Sequence, residues 1–372
     1  MKVEKIELYL VRLPLVHFFE TSFGRIRERE FILTKVLAGG LTGWGEVVAD
    51  EMPLYSYETN RTAWHILKDF LIPLIFREPI SSPQDFSYKA KRFKGHHMAK
   101  TGLGLALWDL KAKMSETPLW KLYQGVKEEI PAGVSVGIQD STKQLLERID
   151  NFLKEGYQRI KVKIKPGWDI EILKEIRRNY PDILLIADAN GAYSLMEKKH
   201  LQKIDDYNLM MIEQPFPAPS LWDHAQLQKK LKTPVCLDES ITSFQDAEQA
   251  FRIGSYKIIN IKVGRVGGII EAIKIHNFCQ EHSIPVWCGG MLESGIGRAH
   301  NLHLASLPNF KLPNDISASK RYYVKDVIEP EIKITPQGTI KLPSYPGIGF
   351  SPDEKRINQI LIHKEIFNKA EF

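Results

Sequence analysis

Apolar and polar positions follow two different rhythms in the first third of the chain. The run "REFILTKVLAGGLTGWGEVVA" contains two apolar segments joined at Gly39 and Gly40, a pattern that predicts a β-hairpin. Residues 60–76 and 96–114 instead carry apolar side chains at helical spacing. We therefore predict an α+β unit over residues 1–125.

From residue 126 the pattern changes to short apolar runs that alternate with amphipathic stretches of helical length. This alternation predicts repeated βα units around a parallel sheet, and eight strands would close a barrel. The candidate strands are "AGVSVGI", "RIKVKI", "LLIADA", "LMMIEQ", "TPVCLDE", "KIINIKV", "IPVWCG" and, more weakly, "KLPNDI".

After residue 325 the pattern returns to that of a β-hairpin, "EIKITPQGTIKLPS", followed by "YPGIGF" and a short final helix. We expect residues 326–372 to pack back on the first unit. The predicted fold is an α/β, TIM-like barrel over residues 126–325, modified to a β/α 7–8 arrangement. The N-terminal segment and the C-terminal tail together form its α+β capping domain.

Charged residues stand where the barrel strands should end. In "RIKVKI" the residues Ile160, Val162 and Ile164 share one face, so Lys161 and Lys163 share the other. Since helices cover the outside of a parallel barrel, we expect these lysines to point inward. Five ionisable residues follow one another at intervals of 24 or 25 positions along consecutive strands: Lys163, Asp188, Glu213, Asp238 and Lys262.

The three acids of this series predict a metal site. One carboxylate after a strand is most often a helix cap, but three at the mouth of one barrel would repel each other without a cation. Hard oxygen ligands without Cys or His favour Mg²⁺ or Mn²⁺. The two lysines could simply balance charge, yet their places at both ends of the series favour two bases on opposite faces of a substrate.

Composition narrows the class of protein. The 372 residues are 43% hydrophobic and 26% charged, and the formal charge is +6. Basic residues are interleaved with acids, as in "EKKHLQKIDD", so a nucleic-acid surface is not predicted. We find no secretory signal pattern and no uncharged apolar run near ~18 residues, and we expect a cytoplasmic protein that does not enter membranes. The three cysteines are expected to be reduced core residues.

Several motifs together resemble the enolase superfamily and its muconate lactonizing subgroup. These are "KVK", "DAN", "EQP", "DES", "IKVGRVGG", "GWGE", "ALWDLKAK" and "PGIGF". Within the subgroup, "GGMLESGIGRAHN" and "NDISASKRYY" are similar to the o-succinylbenzoate synthase and N-acylamino acid racemase family. Mandelate racemase-like enzymes would need a His near the seventh strand, where "IPVWCGG" has none. Dipeptide epimerases would need an Asp-x-Asp pair near the eighth strand, where this chain has the single Asp315. Both neighbouring groups therefore fit the sequence less well.

The resemblance implies a mechanism. Mg²⁺ or Mn²⁺ would bind Asp188, Glu213 and Asp238 and stabilise an enediolate. Lys163 would remove the α-proton and return it to the departing hydroxyl, a syn dehydration of 2-succinyl-6-hydroxy-2,4-cyclohexadiene-1-carboxylate in menaquinone biosynthesis. Lys262 would stay cationic in the dehydration and would act as the second acid or base in N-succinyl- or N-acylamino acid racemisation.

Other residues are expected to support these groups. Lys161 would keep the pKa of Lys163 low, and Asn190 and Glu239, which lie two residues and one residue after predicted metal ligands, would support those ligands. Arg265 would either lower the pKa of Lys262 or form a local ion pair. Loops 18–24 and 50–58 are predicted lids, and the resemblance implies substrate contacts through Phe19, Ser22, Phe23, Met52, Tyr55, Ser135, Gly290, Met291, Gly295 and Ile296.

Alternatives remain open at this stage. The main activity could be the racemisation, or the chain could be a muconate cycloisomerase. Lys163 could also be a Schiff-base lysine of an aldolase-like barrel, or the charged cluster could be an ion-pair network in a non-catalytic binding protein. The favoured interpretation is an enzyme acting on a small-molecule carboxylate, and a homo-oligomer is expected.

Overall fold

The computed structural model describes all residues from Met1 to Phe372. Its first strands are long and antiparallel: β1 (Lys5–Thr21), β2 (Gly24–Ala38) and β3 (Leu41–Val47). Gly39 and Gly40 join β2 to β3 with φ angles of 58° and 75°, which glycine adopts without steric cost. The predicted hairpin is therefore confirmed.

The helix His97–Met114 (α4) packs directly against this hairpin. A Cβ atom on Gly43 would lie 2.0 Å from the carbonyl oxygen of Ala106, so no side chain fits at this position of the "GWGE" strand. The helix predicted over residues 60–76 is interrupted by a π-helical turn before Pro73, which lacks the amide hydrogen of a regular helix. The helices of this unit are α1 (Asn60–Ile66), α2 (Ile72–Arg77), α3 (Pro83–Ala90), α4 (His97–Met114) and α5 (Leu119–Leu122).

Seven parallel strands form a curled sheet in which each strand pairs with the next along the chain. Their apolar runs are buried from both sides, as expected of barrel strands covered by helices. All seven stronger strand predictions are confirmed. After the short β4 (Glu129–Pro131), these strands are β5 (Gly133–Val136), β6 (Arg159–Lys163), β7 (Leu184–Asp188), β8 (Met211–Glu213), β9 (Val235–Leu237), β10 (Ile258–Ile261) and β11 (Val286–Cys288).

The connecting helices include the two predicted from "DIEILKEIRRNY" and "GGIIEAIKIHNFCQEH", which are α7 (Ile170–Asn179) and α12 (Ile269–Glu281). Helix α11 is a single turn immediately after β10, and α13 begins where the Gly-rich loop after β11 ends. The helices of the barrel are α6 (Thr142–Lys154), α7 (Ile170–Asn179), α8 (Lys198–Leu201), α9 (Leu221–Gln228), α10 (Phe244–Ile253), α11 (Val263–Val266), α12 (Ile269–Glu281) and α13 (Gly295–Ala305).

The weak eighth strand, "KLPNDI", is not a regular strand. Isolated bridges at Asn314 and at Phe310, the residue before this segment, place it between the first and last strands of the curled sheet. The carbonyl of Asn314 accepts from Gly133 at 2.6 Å, and the amide of Asp315 donates to Cys288 at 2.8 Å. Pro313 has no amide hydrogen to extend this pairing. The segment therefore closes the barrel through a few hydrogen bonds.

The tail differs from two predictions. Residues 331–344 do not form their own hairpin, because β13 pairs with β4 instead. The chain also ends in a strand after its last helix, and β15 pairs antiparallel with β1 at the edge of the first sheet. The tail elements are α14 (Ser319–Tyr322), β12 (Ile328–Glu329), β13 (Thr339–Lys341), β14 (Ser351–Pro352), α15 (Glu354–Gln359) and β15 (Leu361–Asn368).

The three cysteines, Cys236, Cys279 and Cys288, are free and buried, as predicted. None of the helices combines the length and apolar character that a membrane span requires.

Candidate active site

The ends of five consecutive strands bring the predicted ionisable residues to one edge of the barrel. Lys163, Asp188 and Glu213 are the last residues of β6, β7 and β8, and the register places each beside the next. Asp238 and Lys262 directly follow β9 and β10. The three carboxylates are fully buried, and the two lysines are 7% and 6% exposed. We call these five residues the strand-end arc.

Two inward-facing lysines of β6 neutralise the first part of the arc. Lys163 Nζ lies 2.6 Å from Asp188 Oδ2 and 2.7 Å from Asn190 Oδ1. Lys161 Nζ lies 3.0 Å from Asp188 and 3.0 Å from Glu213. The β6 alternation predicted that both lysines point into the barrel, and these contacts confirm it.

The second part of the arc is built around Asp238. Lys262 Nζ lies 2.8 Å from Asp238 Oδ2 and donates a hydrogen bond to the hydroxyl of Tyr55 at 3.2 Å. Tyr55 also donates to Asp238 Oδ1 at 3.2 Å. Arg265 pairs with the same carboxylate and donates to the carbonyl of Ile241 at 2.7 Å. Arg265 is therefore a local ion-pair partner, the second of the two roles considered for it.

The surroundings shift the lysine pKa values in opposite directions. Burial lowers the pKa of Lys163, and the nearby charge of Lys161 adds to this effect against the pull of Asp188. Burial also opposes the charge of Lys262, but the neighbouring Tyr55 and the carboxylates outweigh it and raise its pKa. The pKa of Lys262 is thus raised overall, and a separate lowering effect of Arg265 on it stays a prediction.

The carboxylates have a donor set that fits a hard divalent cation. No group of three or more His, Cys, Asp or Glu side chains is gathered around one point, because the arc oxygens contact ammonium and guanidinium groups. The set itself is three buried carboxylates with no competing sulfur or imidazole. Beside them, Glu239 Oε2 is buried without a hydrogen-bond partner, so an oxygen acceptor is spare at this edge.

A cavity of about 90 Å³ opens over the arc. Six of the ten predicted substrate-contact residues line it: Phe19, Phe23, Tyr55, Ser135, Gly290 and Met291. Phe19 and Phe23 lie at the tip of the β1–β2 hairpin, and Tyr55 lies in the loop after β3. Both predicted lid loops thus contribute to the cavity wall.

The other four predicted contacts do not line this cavity. Met52 is 60% exposed, and the Ser22 hydroxyl donates to the carbonyl of Asn190 at 3.4 Å. The amide of Gly295 donates to Asp326 at 2.7 Å, and that of Ile296 to Ser294 Oγ at 3.2 Å. Both amides thus donate to acceptors at the start of α13, and their contact with a substrate carboxylate stays a prediction.

The "GWGE" and "ESGIG" motifs meet at this helix start. Glu46 accepts from the amide of Ser294 at 3.1 Å, from its hydroxyl at 2.5 Å and from the amide of Gly297 at 3.1 Å. Burial, together with the nearby Glu293, raises the pKa of Glu46 to about 7. These hydrogen bonds of Glu46 therefore connect the first unit to the barrel directly behind the loop that contains Gly290.

Sequence reasoning missed several cavity residues. Asp315 accepts from Ser135 Oγ at 2.7 Å and lies 3.3 Å from Lys161, and these contacts lower its pKa to about 2 against the effect of burial. Outside the cavity lining, the buried Asn260 donates to Glu213 Oε1 at 2.6 Å. The place of Asp315 at the end of the eighth apolar run could have indicated its role. The cavity lining also includes Arg29, which no pattern indicated, and three residues that lie in the predicted lid loop or in the "NDISASKRYY" motif without being singled out: Asp50, Arg321 and Tyr322.

A parallel barrel whose strand ends present buried carboxylates flanked by lysines, beneath a second α+β unit, has the architecture of a TIM-like barrel enzyme with a capping sheet. The sequence matches the family profile "Mandelate racemase / muconate lactonizing enzyme, N-terminal domain" over residues 5–123 and the profile "Enolase C-terminal domain-like" over residues 144–356. The chain therefore belongs to the enolase superfamily.

Relatives of known name span the whole chain. The o-succinylbenzoate synthase of Geobacillus kaustophilus is 47% identical over 371 residues, covering 100% of this chain and 99% of the relative. The N-succinylamino acid racemase of Amycolatopsis sp. is 44% identical over 366 residues, covering 98% and 99%. Both o-succinylbenzoate synthases and N-succinylamino acid racemases are thus among the similar proteins.

Solved structures agree with the fold. The crystal structure of an enolase superfamily member from Listeria innocua superposes with a TM-score of 0.95 at 40% identity, covering 99% of this chain and 100% of that one. The dipeptide epimerase of Cytophaga hutchinsonii, which shares the fold at 24% identity and a TM-score of 0.90, was crystallised with Mg and a dipeptide. The barrel with a capping unit is therefore the architecture of this chain.

Proposed function

We propose that the protein is an o-succinylbenzoate synthase that dehydrates 2-succinyl-6-hydroxy-2,4-cyclohexadiene-1-carboxylate, and that it also racemises N-succinylamino acids. One observation carries this proposal: the strand-end arc places Lys163 and Lys262 at the two ends of a row of three buried carboxylates. A substrate lying across that row would meet one lysine on each face. The relatives at 44–47% identity support both activities.

Asp188, Glu213 and Asp238 are the residues that would hold Mg²⁺ or Mn²⁺. When bound, the cation would supply positive charge to the substrate carboxylate on which negative charge develops as the α-proton leaves. Four cationic side chains contact these carboxylates, in addition to the neutral Tyr55 and Asn260: Lys161, Lys163, Lys262 and Arg265. The site is therefore suited to anionic oxygen of a substrate even before further charge is added.

Lys163 is proposed to be the base in the dehydration. Its contacts with Asp188 at 2.6 Å and Asn190 at 2.7 Å hold Nζ at the strand end, facing the cavity. The neutral amine takes the α-proton, the C–H electron pair passes into the ring, and the C–O bond to the hydroxyl group breaks. Lys163 then gives the same proton to the departing hydroxide, so that water leaves from the face on which the proton was taken.

Lys262 is proposed to act from the opposite face. Its pairing with Asp238 at 2.8 Å keeps an ammonium group against the cavity, which favours negative charge on the substrate during dehydration. In racemisation it would give a proton to, or take one from, the α-carbon on the face opposite to Lys163. Tyr55, 3.2 Å from Nζ, orients this lysine from the capping unit.

Substitution of the two lysines tests these assignments. Lys163→Ala should lower the rate of dehydration by at least the ~10²–10⁴-fold that general base catalysis typically supplies. Lys262→Arg keeps the cation and should retain part of that rate. In racemisation each single Ala variant should stop net conversion, yet should still exchange the α-proton of one enantiomer with D₂O, as followed by NMR.

A Lys163→Ala variant within about threefold of the wild-type rate on both substrate classes would remove Lys163 as the base. The barrel-mouth lysines would then be charge balance for the carboxylates. Lys165→Ala is the matched control, because this lysine lies two residues beyond Lys163, outside the cavity lining, and is 39% exposed.

The metal assignment has its own test. Isothermal titration calorimetry with Mg²⁺ or Mn²⁺ should show one site per chain, and Asp238→Asn should lose both binding and activity while the circular dichroism spectrum is unchanged. Unchanged metal affinity in that variant would remove Asp238 from the ligand set. Full activity in excess EDTA would instead favour a Schiff-base mechanism at Lys163, which borohydride trapping would detect.

Two further expectations complete the proposal. We infer that the protein works in the cytoplasm on small carboxylates and does not bind nucleic acid, since its basic residues are interleaved with acids. We also infer a homo-oligomer, which light scattering of the purified protein would test. The order of the two activities would follow from the kcat/KM values for both substrate classes, and the rival muconate cycloisomerase activity can be measured in the same series.

A further inference from the structure

One cation of the active-site cavity has no acidic partner. Five cationic side chains line the cavity, and four of them form ion pairs with carboxylates of the chain. The fifth is Arg321, in the "NDISASKRYY" segment, and it forms no ion pair within 4.0 Å. The four paired cations are Arg29, Lys161, Lys163 and Lys262.

Arg321 is nevertheless held in one position. Its Nη2 donates to the carbonyl of Ser135 at 2.6 Å, and its Cζ lies 5.2 Å from the ring centroids of both Phe152 and Tyr322. Its Nε is buried and has no hydrogen-bond partner. Its remaining terminal nitrogen, Nη1, makes no hydrogen bond within the chain, so a guanidinium fixed at the cavity wall keeps a donor for an acceptor in the cavity.

The surroundings of Arg321 add further positive charge. Burial lowers the pKa of Arg148, and Arg321 lowers it further. The pKa of His17, in the β1–β2 hairpin, is also lowered. Burial is the largest cause, and the charges of Arg148 and Arg321 add to it. Arg148 and Arg321 thus repel one another, with Glu147 offsetting part of the charge of Arg148, whereas the lowered pKa leaves His17 uncharged at neutral pH. An anion that enters beside Arg321 would relieve this repulsion.

The groups otherwise expected to bind a distant substrate carboxylate are occupied. The hydroxyl of Ser135 donates to Asp315 at 2.7 Å. The amides of Gly295 and Ile296 donate to Asp326 and Ser294. These donors are therefore used within the protein, whereas Arg321 borders the same cavity with a donor to spare.

We propose that Arg321 binds the second carboxylate of a dicarboxylate substrate, at the end of its succinyl chain, and so makes the enzyme select N-succinyl over N-acetyl compounds. This inference rests on the proposed function, which places the reacting carboxylate at the strand-end arc. A guanidinium can bind a carboxylate through two parallel N–H···O bonds, which gives orientation as well as charge.

The test compares two substrates that differ by one charge. An N-succinyl-L-amino acid and its terminal amide have nearly the same shape, but only the first has the second carboxylate. For each enzyme the ratio of kcat/KM for acid over amide is measured by polarimetry. Arg321→Gln should reduce this ratio by about 10- to 100-fold, the factor that a charge-assisted hydrogen bond typically supplies. Arg321→Lys should retain part of it.

The ratio does not depend on how much of a variant is folded, since both substrates meet the same molecules. The control Lys320→Gln removes a neighbouring cation that is 64% exposed and outside the cavity lining, and its ratio should match that of the wild type. A similar loss on acid and amide in Arg321→Gln, with an unchanged ratio, would overturn the assignment and leave Arg321 a structural residue.

Binding separates this inference from the proposed function. Calorimetry with o-succinylbenzoate and with its terminal amide needs no turnover. If the wild type converts neither substrate class but binds the acid more tightly than the amide, and Arg321→Gln abolishes that difference, the carboxylate site stands although the proposed reaction is wrong. Equal affinity of the wild type for acid and amide would overturn the site itself.

Discussion

Lys161 offers a direct test of how the buried charges of the barrel are balanced. Its Nζ lies 3.0 Å from Asp188, 3.0 Å from Glu213 and 3.3 Å from Asp315, and its side chain is 3% exposed. Burial opposes its charge, but these carboxylates outweigh the effect and raise its pKa, so that it stays protonated. Lys161→Met removes the charge and keeps most of the length and volume of the side chain.

The expected cost follows from the contacts that remain. Removing one partner of a buried ion pair typically costs about 3–5 kcal/mol, because the other charge is left uncompensated. In the variant, Asp188 would still be paired with Lys163, and Asp315 would still accept a hydrogen bond from Ser135. We therefore expect a loss of unfolding free energy at the lower end of this range, about 3 kcal/mol. For 372 residues the entropy of unfolding is about 0.8 kcal/mol/K, which converts this loss to a fall in Tm of roughly 4 °C.

Thermal and urea denaturation of Lys161→Met against the wild type would measure this loss. The matched control is Lys165→Met, since Lys165 is 39% exposed and lies 3.5 Å from Glu20, a pair worth about 1 kcal/mol or less. Added Mg²⁺ should stabilise Lys161→Met more than the wild type, because a cation bound to the folded state would replace the missing charge. A loss below about 1 kcal/mol, or an equal loss in Lys165→Met, would refute this account of the charge balance.

Two further changes probe the loop behind the cavity. The pKa of Glu46 is about 7 in the folded protein, above its ordinary value of 4.5, so the associated stability is present below pH 4.5 and is lost as the pH rises through 7. Glu46→Gln should therefore flatten the pH dependence of the free energy of unfolding between pH 4.5 and 8, and parallel urea-denaturation profiles for variant and wild type would contradict this. Gly290→Ala would place a Cβ atom 2.6 Å from the carbonyl oxygen of Asp315, so we expect a raised KM on every substrate. An unchanged KM, with the fold verified by circular dichroism, would show that the loop can move away.

The candidate site divides into a part that the sequence could predict and a part that it could not. Lys163 and Glu213 were predicted to approach each other because each ends a strand of one parallel sheet, and adjacent strands end at one edge. Arg321 and Asp50 gave no such signal, because they come from a short tail helix and a capping loop whose places depend on packing across the chain. For the same reason, no local pattern indicated that Asp326, 31 residues further along the chain, accepts from the amide of Gly295.

The sequence by itself determined the barrel strands, the hairpin at Gly39 and Gly40, and the order in which charged residues meet along the barrel mouth. These features follow from local periodicity and turn chemistry, which act within a few residues. The tertiary structure decided how β15 completes the first sheet, how Asn314 closes the barrel, and which cation is left without a partner. Each of these features depends on contacts between segments far apart in the chain. A local sequence pattern predicts neither which distant segments come into contact nor which of several possible partners a side chain takes.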